Sequence, residues 1–106
     1  MSTRVPTYPY RILHCLRAPV GGLFRHVCDL AKAQSEAGCA VGVLCADEPN
    51  DPQTRERISG LEQHCELGVS RISLGRMPGF SDAKALMATA HMLRELAPEV
   101  LHGHGA

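Results

Sequence analysis

The chain has 106 residues, 44% apolar and 21% charged, so it can bury one small core and is not compositionally disordered. Lys and Arg balance Asp and Glu, and a formal net charge of zero gives no long-range pull toward nucleic acid or an anionic membrane. No apolar run approaches the roughly 18–20 residues that span a bilayer, and residues 1–10, MSTRVPTYPY, lack a secretory signal and read as an irregular lead-in.

RILHCL, residues 11–16, predicts a first strand. In LFRHVCDLAKAQSEAG the residues Leu23, Val27, Leu30 and Ala31 recur at helical spacing, and Gly38 supplies a left-handed stop. AVGVLCA, residues 40–46, is a second strand, apolar almost throughout. DEPNDPQ, residues 47–53, is the clearest surface loop. Residues 53–66, QTRERISGLEQHCE, predict a weaker helix, because Gly60 costs about 1 kcal/mol against Ala in a helix interior. Leu61 and Cys65 still fall one turn apart. VSRISL, residues 69–74, is a third strand. In SDAKALMATAHMLRELAP, Ser81 is the N-cap and Asp82 sits in the first turn. Leu86, Ala90, Leu93 and Ala97 make one stripe, and Pro98 blocks continuation. EVLHGH, residues 99–104, is a fourth strand, read as buried.

Nearly continuous apolar strands belong to parallel sheets covered on both faces. The alternation predicts an α/β, Rossmann-like parallel sheet, β-α-β-α-β-α-β, with strand order 3-2-1-4. The chain leaves the first strand in one direction and reaches the fourth in the other, so a ligand crevice opens between them. The five cysteines, Cys15, Cys28, Cys39, Cys45 and Cys65, are odd in number and never spaced CxxC. They read as buried reduced thiols, hence a cytosolic compartment.

Two motifs meet at that crevice. Gly21 and Gly22, in RAPVGGLFRHV, stand at the entrance to the first helix. They either serve the turn alone or let a phosphate approach the helix N-terminus. GGLFRH is not the GxGxxG dinucleotide fingerprint, and Asp47 after the second strand then reads as a turn residue. The second motif is HGHG, where residues two apart share a strand face, so His102 and His104 point the same way. Two histidines are too few for a metal, and no nearby Asp, Glu or Cys completes the set. His14 is a conceivable third nitrogen but reads as a packed core residue, as does His102. His104, at the strand tip, is placed to bond a substrate hydroxyl or exchange a proton near neutral pH. His26, His64 and His91 read as solvated or partly packed. Arg17, Arg25 and Arg76 are cations near the ligand edge that either meet an anion or face water.

RILHCLRAPVGGLFRHVCDLAKAQSEAGCAVGVLCA resembles the opening of family 4 glycosyltransferases of the GT-B fold, and APEVLHGHGA is similar to their fourth strand with its His-x-His. The resemblance covers nearly the whole chain from residue 11. It implies a retaining transferase that moves a sugar from a nucleotide-sugar donor to an acceptor hydroxyl, without a cofactor or catalytic metal. By position, Gly21 and Gly22 would lie against the donor diphosphate, and His104 near the donor sugar. Arg25 and Arg76 are further substrate-binding candidates. Residues 11–106 would be the N-terminal, acceptor-side domain, itself incomplete. The C-terminal donor-binding domain, with the family's paired glutamates, is missing from the sequence. The chain then reads as a truncated or partial gene product that transfers no sugar alone. The acceptor is unspecified: saccharide, lipid or small molecule. The location implied is cytoplasmic, or peripheral to the inner face of the membrane. Cys39 and Ala40 depart from a histidine and glutamate common in the family, at a helix exit that does not touch the chemistry.

The alternative is a stand-alone doubly wound binding or regulatory module. A receiver-like domain would want paired acids after the first strand, and a flavodoxin-like one a Ser/Thr-rich phosphate loop. HCLRAPVGG has neither. The missing third glycine opposes a nicotinamide-dependent oxidoreductase.

Overall fold

The computed structural model of the protein describes residues 10–73, 87, 90, 91 and 93–104. Four strands, β1 (Arg11–Cys15), β2 (Ala40–Ala46), β3 (Gly68–Ile72) and β4 (Val100–Gly103), form one sheet. Their order is β3-β2-β1-β4, and each neighbouring pair is parallel. Helices α1 (Gly21–Glu36) and α2 (Pro52–Glu62) join the first three strands, and residues 87, 90, 91 and 93–96 before β4 are helical. The expected β-α-β-α-β-α-β arrangement with order 3-2-1-4 is the one observed. Parallel strands require such crossovers, and two successive crossovers in one direction put α1 and α2 on the same side.

Register sorts the side chains between the two faces. Ile12 and His14 stand opposite Val41 and Val43 of β2 and opposite Val100 and His102 of β4. Val41, Val43 and Cys45 pack with Phe24, Val27 and Ala31 of α1 and with Ile58 and Leu61 of α2. On the opposite face Leu13 and Leu44 are buried as well. All seven residues of β2 are therefore buried, which explains its unbroken apolar run. Gly42 belongs to that second face, where an added Cβ would lie 2.9 Å from the Leu67 Cβ.

The fourth strand departs from expectation. All four residues of β4 are exposed, Leu101 by 56%, because β4 is an edge strand of the sheet. The buried role read for EVLHGH, and for His102 within it, is corrected on that ground.

Local chemistry sets the element ends. Gly38, at φ +98°, turns the chain out of α1, and the Cys39 N–H donates back to the Gln34 carbonyl at 2.9 Å. Helix α2 starts inside the expected loop: Asp51 accepts from the Thr54 N–H at 2.7 Å and Pro52 occupies the first turn. Gly60 lies near its exposed end. Arg71 holds the loop before α2, donating to the carbonyls of Ala46 and Pro49 at 2.9 and 2.7 Å. Arg11 donates twice to the Leu96 carbonyl, at 2.8 and 2.6 Å, tying the end of the last helical segment to β1. Ser81, Asp82 and Leu86 lie outside the described residues. No helix among the described residues is long and apolar enough to cross a membrane.

Candidate active site

The C-terminal ends of β1 and β4 carry a cluster of imidazoles. His14 on β1 is fully buried and in register with His102 on β4. His104 extends the same pairing, its N–H donating to the Cys15 carbonyl at 2.8 Å. The His102 and His104 rings stack with centroids 3.9 Å apart, so they do point the same way. The His14 ring lies 5.3 Å from His102 and 5.1 Å from His104. His26, on α1, meets His104 edge-on at 6.0 Å.

A relay of hydrogen bonds runs through the cluster. His14 Nε2 is 2.7 Å from Gln34 Oε1, and His14 Nδ1 is 2.9 Å from His104 Nε2. With Gln34 Oε1 as acceptor, neutral His14 carries its proton on Nε2 and offers its Nδ1 lone pair. His104 then donates from Nε2, which leaves the lone pair on its Nδ1. Burial lowers the pKa of His14, the charges of His102 and His26 lower it further, and the Gln34 bond opposes them. Burial also lowers that of His104, helped by His102, His14 and His26. Both rings are thus held neutral near pH 7.

The glycine pair opens α1 as the spacing requires. Gly21 sits at φ +75°, a conformation that L side chains rarely adopt. Val20, the N-cap, makes no side-chain cap bond, and no acid lies in the first turn. The first N–H groups of α1 therefore have no side-chain acceptor from its own cap, in contrast to α2 with Asp51. Gly22 precedes His26 by one helical turn, about 6 Å of rise.

Arg25 leaves α1 about 100° around the helix from His26. It lines a cavity of about 670 Å³ between α1 and α2, with Gly21, Gly22, Lys32, Arg57 and His64. Arg25 and the glycine pair thus line one cavity, and His14, His102 and His104 are not among its lining residues. Arg17 is exposed just beyond β1, and Arg76 lies outside the described residues. All five cysteines are free thiols. Burial raises the pKa of Cys15, Cys28 and Cys45, and that of Cys65 to about 11, so these four are protonated and inert.

Sequence reasoning missed Gln34 and the role of His26. The signal for Gln34 was present: it follows Val27 and Ala31 at helical spacing, a polar residue on a buried stripe. His26 carried no such signal, because its place depends on how α1 crosses the β4 edge.

A protein-family model, Glycosyltransferase Family 4, matches residues 20–106, spanning the glycine loop, both helices and the histidine strand. No curated protein and no solved structure matches. Because the family match covers most of the chain, including the glycine loop and the histidine strand, this chain belongs to glycosyltransferase family 4.

Proposed function

We propose that the chain is the N-terminal, acceptor-side part of a retaining GT-B glycosyltransferase, moving a sugar from a nucleotide-sugar donor to an acceptor hydroxyl. The observation that carries this reading is the uncapped, glycine-led start of α1, one helical turn from His26, whose ring in turn meets His104 edge-on at 6.0 Å. Free N–H groups at a helix start favour an anion, here the donor diphosphate. Backbone donors aimed at the departing diphosphate stabilise the charge that grows on it as the glycosidic bond breaks. Bare Cα positions at Gly21 and Gly22 allow that close approach.

His104 is the group assigned to the sugar. Held neutral, and oriented by His14 and Gln34, it offers Nδ1 to a donor hydroxyl and fixes the ring relative to the acceptor. The reaction read here uses no metal and no cofactor, the nucleotide-sugar being a substrate. The donor-binding residues of the family, including its paired glutamates, would come from a C-terminal domain, so this chain alone is expected to transfer no sugar. The acceptor is a saccharide, a lipid or a small molecule. The reading implies a cytoplasmic enzyme, or one peripheral to the inner face of the membrane.

The test is turnover of a panel of nucleotide sugars by an enzyme carrying this chain with a donor-binding half. Nucleoside diphosphate release and the anomer of the product, read by NMR, are the observables. Transfer with retained configuration is expected. Inverted configuration, or no donor accepted, would overturn the reading.

A further inference from the structure

We propose that His14, His102 and His104 bind a single transition-metal ion of the Zn2+ type at the open edge of the sheet. One ring nitrogen from each lies within 4.8 Å of the other two. Three imidazoles with an open fourth position are an established ligand set for Zn2+. The sequence alone counts HGHG as two ligands and assigns His14 to the core. Parallel register supplies the third, since it pairs His14 directly with His102.

The surroundings fit a metal better than a chance cluster. His14 is buried and rigid, and its second nitrogen is bonded to Gln34 Oε1 at 2.7 Å. An outer partner of that kind fixes the tautomer and aims the other nitrogen at the ion. His102 is exposed and His104 half-buried, which gives an entry path from solvent. The His14–His104 nitrogens are 2.9 Å apart. Tetrahedral Zn2+ holds imidazole nitrogens about 3.3 Å apart, so this pair opens by about 0.4 Å while wider separations in the set, bounded at 4.8 Å, close by movement of the rings at the strand tip. The set holds no carboxylate, which disfavours Ca2+ and Mg2+. Cys15 alternates to the opposite strand face, which leaves an all-imidazole site suited to Zn2+, Cu2+ or Ni2+.

This inference does not rest on sugar transfer. It adds one consequence: an ion on His104 Nε2 leaves the ring proton on Nδ1, so a metal-bound His104 donates to a sugar hydroxyl where the metal-free ring accepts.

The test titrates the metal-free 106-residue chain with Co2+, followed by Zn2+ displacement and calorimetry. Expected are one ion per chain and the intense visible bands of four-coordinate Co2+, lost on adding Zn2+. His102→Ala removes an exposed side chain, so the fold should survive, as circular dichroism will verify. It should weaken Zn2+ binding at least about tenfold, and Gln34→Met should weaken it about 10–100-fold. His64→Ala, in the cavity between α1 and α2, should change nothing. Absence of saturable Zn2+ binding would overturn the proposal. So would affinity that survives His102→Ala or is lost with His64→Ala.

Discussion

Replacing Gln34 by Met tests whether the relay through His14 is a real constraint on the fold. His14 is 0% exposed, and its Nε2 has Gln34 Oε1 as partner at 2.7 Å. Methionine keeps the length and unbranched shape of Gln but accepts no such bond. A buried ring N–H is then left unsatisfied, at a cost of about 1–3 kcal/mol. For a chain of this size each kcal/mol lowers the melting temperature by about 4–5 °C. His14→Leu removes the other half of the bond, and in the double variant neither partner is stranded. The two single costs should therefore exceed the double cost by about 0.5–3 kcal/mol. Urea denaturation of the parent, both singles and the double gives all four values with one assay. If Gln34→Met unfolds at the parent's midpoint, or if the costs add to within about 0.5 kcal/mol, the relay does not contribute as argued.

Other outcomes follow from the same structure. Gly42→Ala forces a Cβ to 2.9 Å from the Leu67 Cβ and should cost about 1–3 kcal/mol, whereas Gly60→Ala meets nothing within 4 Å and should stabilise by about 0.5–1 kcal/mol; thermal melts compare the two. Ala97 stands at φ +46°, so Ala97→Gly should raise the melting temperature. The lowered pKa values of His14 and His104 mean that the unfolded chain takes up protons before the native one. Stability is then full above the ordinary histidine value of 6.5 and falls as pH drops through the lowered native values. Urea midpoints across that range, in chelator and with His14→Leu as comparison, should show the fall and its reduction in the variant.

The parallel sheet and its order were legible because β2 is apolar at nearly every position and two helical stripes separate it from its neighbours. Gly38 marked the end of α1 through its backbone freedom alone. Three features were not fully legible. The Asp51 cap lay within a string that reads as loop, because capping residues and turn residues are the same residue types. The exposure of β4 was only half legible, since the predicted order 3-2-1-4 already makes it an edge while its apolar string reads as buried. The meeting of His14 with His102 depends on register between strands some ninety positions apart, which two isolated motifs do not encode.

The central claim is that the glycine-led start of α1 and His104 serve one donor. Its most direct test is initial-rate kinetics of an enzyme carrying this chain, with Gly22→Val and His104→Ala compared against the parent. A Cβ at Gly22 meets nothing within 4 Å, and a thermal melt of Gly22→Val establishes that the fold holds before a loss is assigned to the ligand. Weaker inhibition by nucleoside diphosphate is expected in Gly22→Val, and a fall in kcat on the order of 10²-fold in His104→Ala with that inhibition retained. Parent-like inhibition in the first variant together with parent-like turnover in the second would contradict the claim.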